Sequence, residues 1–238
     1  MGASKATKEL IDLCNLSKGK YVLDVGCGVG LTSCYITRRY DCRVVGVDIS
    51  ERMIYRAIER ARKEGVEDRV EFRVADAQNL PFQDDLFDVV IGESAITFVE
   101  DKNKAVREYA RVTKSKGYVG LNEETMIKAP APKEVIEYAF LTWPIKGEIP
   151  TSEGWKELLE DAGLKDIIVR THEFKGALSD YIEGVRPLGF KGALTSFYKF
   201  LRMYLESSSF RKYIKGRYTS LPKNFFEYLG YGIYVGRK

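Results

Sequence analysis

Residues 22–30 read "VLDVGCGVG", an apolar run that breaks into three glycines, Gly26, Gly28 and Gly30. An apolar stretch of this length, bounded by glycine, describes a strand covered on both faces. Glycines straight after such a strand let a ligand approach the backbone, because no Cβ stands in the way. Dinucleotide-binding loops use G-x-G-x-x-G here and seat a pyrophosphate on the next helix N-terminus. This loop is G-x-G-x-G instead, with Asp24 two residues before its first glycine. A carboxylate at that place opposes a pyrophosphate and suits a ligand carrying a cationic group.

Outward from the loop, strands and helices alternate. A helix is expected over 7–16, then a "SKGK" turn, the strand "YVLDV", and a helix from the glycines through Arg39. "RVVGVD" (43–48) is a second strand, followed by a helix from Ser50 to Glu64 stopped by Gly65. "RVEFRVAD" (69–76) and, after the "LPFQDDL" loop, "FDVVIGES" (87–94) are the third and fourth strands. A helix around 103–112 leads to a fifth strand, "GYVGLNEE" (117–124). "SEGWKELLEDAGL" is a helix ending at Gly163, "KDIIVRTHEF" (165–174) a sixth strand, and "GYGIYVGRK" (230–238) a seventh. Apolar strands separated by helices argue for an α/β fold, a doubly wound and mostly parallel sheet. The alternation is interrupted at 125–150 and 175–229. Connections of that length carry their own helices or act as lids. The expectation is one domain over 1–238 with two helical insertions.

The bulk properties bound the function. A chain of 238 residues with 45% hydrophobic content can bury a sizeable core. Its net charge of +4 does not announce a nucleic-acid partner. Residues 175–238, however, hold twelve Lys and Arg against four Asp and Glu, and 14 of the 27 Phe and Tyr residues. The four cysteines, Cys14, Cys27, Cys34 and Cys42, show no CxxC spacing, so neither a zinc site nor a disulfide framework is expected. No apolar run approaches the roughly 20 residues of a membrane span. Stable membrane insertion is not expected, and the protein is expected to be cytoplasmic.

Two further carboxylates stand at strand ends. Asp48 ends the second strand, where an acid accepts hydrogen bonds from ribose hydroxyls, and Asp76 ends the third in "VADAQNLPF". Ligands of open α/β sheets bind in the crevice at the carboxyl ends of the strands. S-adenosylmethionine fits this set, with a ribose, an adenine amino group, an α-amino group and a sulfonium.

"VLDVGCGVG", "VVGVDIS", "VADAQNLPF" and "FDVVIGESA", in this order, resemble the successive motifs of class I S-adenosylmethionine-dependent methyltransferases. The resemblance covers about residues 7–124 and is nearest to the small-molecule branch that includes quinone-biosynthesis enzymes. It implies a seven-stranded sheet ordered 3-2-1-4-5-7-6 with the last strand antiparallel. It also implies that Asp24, Gly26, Cys27, Gly28 and Gly30 lie against the methionine part of the cofactor. Asp48 is implied to bind the ribose, with Ile49 and Met53 near the adenine, and Asp76 the adenine amino group with Ala77 beside it. Glu93 and Ser94 are implied to face the transferable methyl group, Glu93 being the candidate catalytic residue. Such domains often begin with a longer cofactor-covering segment, so the chain is expected to be short there or truncated.

Competing readings follow from the same residues. A ligand-free turn and a nicotinamide-dependent dehydrogenase are both disfavoured by three acidic strand ends in register and by G-x-G-x-G with Asp24. Cys27 is expected to be a half-buried thiol and not a nucleophile. His172, the lone histidine, is expected to be structural or superficial, because acceptor chemistry in such enzymes follows the fourth and fifth strands. Glu123 and Glu124 stand evenly between function and a solvated or helix-capping role.

In "GALTSFYKFLRMYLE" (192–206), Leu194, Phe197, Leu201, Tyr204 and Leu205 form one helical stripe, expected to pack into a core. Around it, Arg186, Lys191, Lys199, Arg202, Arg211, Lys212, Lys215 and Arg217 read as a basic solvated face. The functional alternative makes both insertions a cap on the acceptor side. Tyr138, Phe140 and Trp143 of the first insertion could wall the pocket, and aromatic walls stabilise a cation. The favoured acceptor is a small molecule. RNA or protein stays open, since basic residues among aromatics suit single-stranded RNA, although no N-P-P-Y-type tetrapeptide follows the fourth strand. A membrane surface bearing a lipid-like substrate is also open, as is a protein that only binds S-adenosylmethionine. No metal is expected, and nothing in the sequence specifies an oligomeric state.

Overall fold

The computed structural model describes residues 5–174 and 189–238. In chain order the elements are α1 (Lys5–Leu13), β1 (Tyr21–Val25), α2 (Leu31–Tyr40), β2 (Arg43–Asp48), α3 (Glu51–Glu64), β3 (Val70–Val74) and β4 (Phe87–Glu93). A single 3-10 turn at Ile96–Phe98 precedes α4 (Lys102–Val112), which runs directly into β5 (Thr113–Met126). Then come α5 (Lys133–Thr142), α6 (Ser152–Asp161), β6 (Lys165–Glu173), α7 (Gly189–Glu206), α8 (Ser208–Thr219), the short α9 (Phe225–Tyr228) and β7 (Leu229–Arg237).

The seven strands form one sheet in the order β3-β2-β1-β4-β5-β7-β6. β3 through β5 pair in parallel, and β7 is antiparallel to both of its neighbours. Strand order and direction match what the motif resemblance implies. α3 ends as expected at Gly65, whose φ of 65° turns the chain left-handed, the usual helix stop. α1 stops three residues earlier than its periodicity suggested, where Asn15 takes a φ of 49°. β5 starts earlier, at Thr113.

Alternation along the strands sends side chains to two cores. Leu10 and Ile11 of α1 pack with Val22, Val44, Ile91 and Ile233 on one face. Leu23, Val45, Val90, Tyr109, Trp155 and Tyr234 fill the other, under α4 and α6. Met126, Val135, Tyr138 and Ile149 join Phe225 and Leu229 in a third, smaller core. The two insertions therefore pack on each other, with the Tyr138 and Phe225 rings 5.0 Å apart edge to face.

One expectation is overturned. The apolar stripe of α7 does not enter a core: Leu194 is 57% exposed, Phe197 54% and Leu205 66%, and Leu201 and Tyr204 are exposed as well. Both faces of the sheet are already covered by α1 to α6, and α7 pairs with α8, the Phe200 and Phe210 rings being 5.7 Å apart. Lys199, Arg202, Arg211, Lys212 and Lys215 form the expected exposed basic surface. Arg186 lies outside the described residues, as do the side chains of Lys191 and Arg217. No helix among the described residues is long and apolar enough to cross a membrane.

Candidate active site

The glycine loop is tied to β2 by two bonds, Gly26 N and Cys27 N both donating to Val47 O at 2.8 and 2.9 Å. Gly26 has a φ of 72°, and a Cβ built on it would lie 2.5 Å from Ala95 Cβ. The loop thus touches the turn after β4 with no room between. Gly26→Ala combines a left-handed alanine with an overpacked contact and is expected to destabilise the fold by about 2–4 kcal/mol. The denaturant midpoint measures it. Gly30 (φ 73°) is equally committed, since its Cβ would strike the Phe72 ring at 2.7 Å.

Gly28 faces open space and donates its N–H to Asp48 Oδ2 at 3.0 Å. Ser50 N donates to Asp48 Oδ1 at 2.9 Å, so backbone donors aim both oxygens of this carboxylate. Beside it Ile49 is 73% exposed, a large apolar side chain left uncovered. Met53, four residues after Ile49, and Ala77, next to Asp76, are half-buried. Asp76, in the turn after β3, accepts from Gln78 N at 2.9 Å. β2 and β3 are neighbours, so Asp48 and Asp76 stand at one end of adjacent strands.

Deeper in, Asp24 is buried and accepts from Ser33 Oγ at 2.5 Å. Burial pushes its pKa from the usual 3.8 up to about 7; the Ser33 bond opposes the rise and Glu93 adds to it. Glu93 was expected to face the methyl group. Its carboxylate accepts from Thr7 Oγ1 (2.7 Å), Thr32 Oγ1 (2.8 Å) and Asn122 Nδ2 (3.1 Å). It joins α1, α2 and β5. Ser94 takes a left-handed φ of 47°, uncommon outside glycine, and donates to Glu124 Oε1 at 3.1 Å.

The structure separates the two glutamates of β5. Glu123, fully buried, accepts at Oε1 from Ala95 N and Ile96 N (2.9 Å each) and at Oε2 from Thr97 N (3.1 Å) and Thr97 Oγ1 (2.8 Å). It caps the 3-10 turn. Glu124 has no such role. The Cys27 side chain is more buried than expected, 8% exposed and packed in the core against Gly46; burial pushes its thiol up, away from nucleophilic use. His172 stacks on Tyr231 at 4.9 Å, with Nε2 3.2 Å from Glu9 Oε2.

The residues that sequence reasoning missed are Thr7, Thr32, Ser33 and Asn122, the partners of Asp24 and Glu93. Three of them left a visible signal. Thr32 and Ser33 are hydroxyls in the first turn of the helix that follows the glycine loop, and Asn122 interrupts an otherwise apolar strand core.

Residues 23–121 match the family model described as a methyltransferase domain. Phosphoethanolamine N-methyltransferase 3 of Arabidopsis thaliana is 32% identical over 187 residues, which is 77% of this chain and 37% of that protein. The 27-O-demethylrifamycin SV methyltransferase of Amycolatopsis mediterranei is 35% identical over 131 residues, 55% of this chain and 48% of that one. Phosphoethanolamine N-methyltransferase 2 of Haemonchus contortus, solved with S-adenosyl-L-methionine, superimposes on 98% of this chain and 52% of that chain. Its TM-score is 0.77 at 22% identity, a likeness of fold. Residues 23–121 thus carry a methyltransferase domain, and the sheet has the strand order implied by the resemblance to class I S-adenosylmethionine-dependent methyltransferases. The chain spans about a third to two thirds of the length of the curated relatives it matches.

Proposed function

We propose that this chain transfers the methyl group of S-adenosylmethionine to a small-molecule acceptor. The observation that carries the reading is Asp48. Both of its oxygens are aimed by Gly28 N and Ser50 N, next to the exposed Ile49 and in front of an open glycine loop. This donor and acceptor set fits an adenosyl group: Asp48 for the ribose, Ile49 and Met53 for the adenine faces, Asp76 and Ala77 for its edge. Asp24, Gly26, Gly28, Gly30 and the Cys27 backbone hold the methionine end. Glu93 and Ser94 border it.

Bound there, S-adenosylmethionine supplies an electrophilic methyl on a positively charged sulfur. The chain's own part is positioning and exclusion of water. The two insertions, which share a core built on the carboxyl end of β5, form a cap on the acceptor side. Curated relatives named for phosphoethanolamine and for a rifamycin support a small acceptor.

Transfer of labelled methyl into small-molecule, RNA and protein fractions of a cell extract tests the reading. Label among small molecules supports it. Label in RNA or protein reassigns the exposed basic surface of α7 and α8 to docking a macromolecule. No label despite tight cofactor binding makes the chain a binding protein.

Asp24 adds a pH signature. The folded chain holds a proton on Asp24 between about pH 4 and 7 that the unfolded chain has released, so this group's contribution to stability is present below the unfolded pKa and is lost as pH rises toward 7. A cationic ligand beside Asp24 favours its ionised form. Cofactor binding at pH 6 is therefore expected to release a proton, read by calorimetry in buffers of different ionisation enthalpy, and Asp24→Asn is expected to abolish the release.

A further inference from the structure

Asn122, Glu123, Glu124 and Thr125 follow one another in β5, and all four are buried. Alternation puts Asn122 and Glu124 on one face and Glu123 and Thr125 on the other. Asn122 donates to Glu93, Glu123 has its four donors, and Thr125 Oγ1 bonds Tyr234 Oη at 2.8 Å. Glu124 differs. It is only 8% exposed, its Oε1 takes the Ser94 hydroxyl, and its Oε2 is buried with no hydrogen-bond partner. A carboxylate oxygen withdrawn from water and left without a donor is costly, and native proteins rarely keep one without a use.

The surroundings say what kind of donor is missing. Glu124 is paired across the ladder with Tyr231 of β7, and Tyr231 with His172 of β6, so all three lie on one face. His172 stacks on Tyr231, the Phe174 ring is 5.9 Å from that of Tyr231, and Trp143 is 6.2 Å from Phe174. These rings are half-buried, not sealed. A carboxylate oxygen without a donor, across the ladder from Tyr231 and the row of rings that continues from it, is the chemistry that recognises an alkylammonium group, by a charged hydrogen bond and by cation–π attraction. Through Ser94 and its neighbour Ala95, which touches Gly26, Glu124 borders the loop assigned to the methionine end.

We propose that Glu124 Oε2 binds the nitrogen of the methyl acceptor, and that the acceptor is therefore an amine. The inference rests on the methyltransferase reading. The acceptor arrives as an ammonium ion and gives one N–H proton to Glu124. The freed nitrogen lone pair forms the new N–C bond as the C–S bond breaks, its electrons remaining on sulfur. The products are the N-methylammonium ion and S-adenosylhomocysteine, and Glu124 returns its proton to water.

The test is calorimetric titration of the wild-type chain and of Glu124→Gln with n-butylammonium chloride and with n-butanol, its uncharged isostere, in the presence of S-adenosylhomocysteine. Wild type is expected to bind the cation about ten-fold or more tightly than the alcohol, and Glu124→Gln to lose that preference. Equal binding of cation and alcohol by wild type, no binding of the cation, or a Gln variant that binds the cation as wild type does, overturns the proposal. Glu124→Asp keeps the charge and is expected to restore part of the preference. Should Glu124→Gln not fold, the wild-type comparison and Glu124→Asp decide the matter. Binding of S-adenosylhomocysteine is read in separate titrations, so a failure of the cofactor assignment is distinguishable from a failure of Glu124.

Discussion

Glu123→Ala is expected to bring the protein to the edge of unfolding, a loss of about 4–6 kcal/mol against a total stability of the same order. The carboxylate serves three backbone N–H groups and one hydroxyl in a site closed to water. Truncation strands the amides of Ala95, Ile96 and Thr97, each costing about 1–3 kcal/mol when left without an acceptor, and adds a cavity. The damage is specific in place, because the turn that loses its cap is the one Gly26 leans on. Glu123→Gln keeps an acceptor for one pair of donors and sets an NH2 against the other, so an intermediate loss is expected. Burial, with the Glu124 carboxylate next to it, pushes Glu123 upward. The folded chain thus binds a proton there at pH values where the unfolded chain does not, so this contribution to stability weakens as pH rises. Urea denaturation of both variants across pH measures the magnitude and the slope. A Glu123→Ala chain as stable as the parent would mean that the turn finds other acceptors.

Asp48→Ala is expected to weaken binding of S-adenosylhomocysteine about 100-fold, close to 3 kcal/mol. Two hydroxyls of a ribose facing one carboxylate make two charge-assisted hydrogen bonds, each worth roughly 1.5–3 kcal/mol before losses elsewhere. The substitution also removes the acceptor of Gly28 N and Ser50 N, which lets the glycine loop and the first turn of α3 relax. Asp48→Asn keeps the shape and one acceptor without the charge, and about a ten-fold loss is expected. Titration calorimetry reads both. The melting temperature of the unliganded chain serves as the control, since one loop contact and one helix start are expected to account for only about 1 kcal/mol. An affinity unchanged in Asp48→Ala would remove the ribose assignment.

Much of this was legible in the chain itself, for a reason particular to parallel sheets. Each strand is a short apolar run with a polar end, and the polar ends Asp48 and Glu93 both fall at the same edge once the strands are parallel. Sequence position alone therefore collects them into one place. What stayed hidden depends on which neighbour a side chain meets. Glu93 reads as a free acid until α1 and α2 bring Thr7 and Thr32 to it. Glu123 and Glu124 are adjacent and identical in type, and only the register of β5 decides which one caps a turn. The stripe of α7 shows that a helix has an apolar side, but periodicity carries no information about what that side faces, and here it faces outward.

The placement of β7 has a consequence for the order in which the molecule can be made. Among the described residues β7 is the last strand in chain order, yet it lies inside the sheet and is the one strand paired with β6. β3, β2, β1, β4 and β5 can assemble while the rest is still emerging from a ribosome, since every ladder among them closes within the first 126 residues. β6 cannot. It waits through residues 174–228 with both edges bare, the condition in which strands find wrong partners. The half assigned to the cofactor can thus exist as a nascent intermediate, while the half assigned to the acceptor appears only in a single late step.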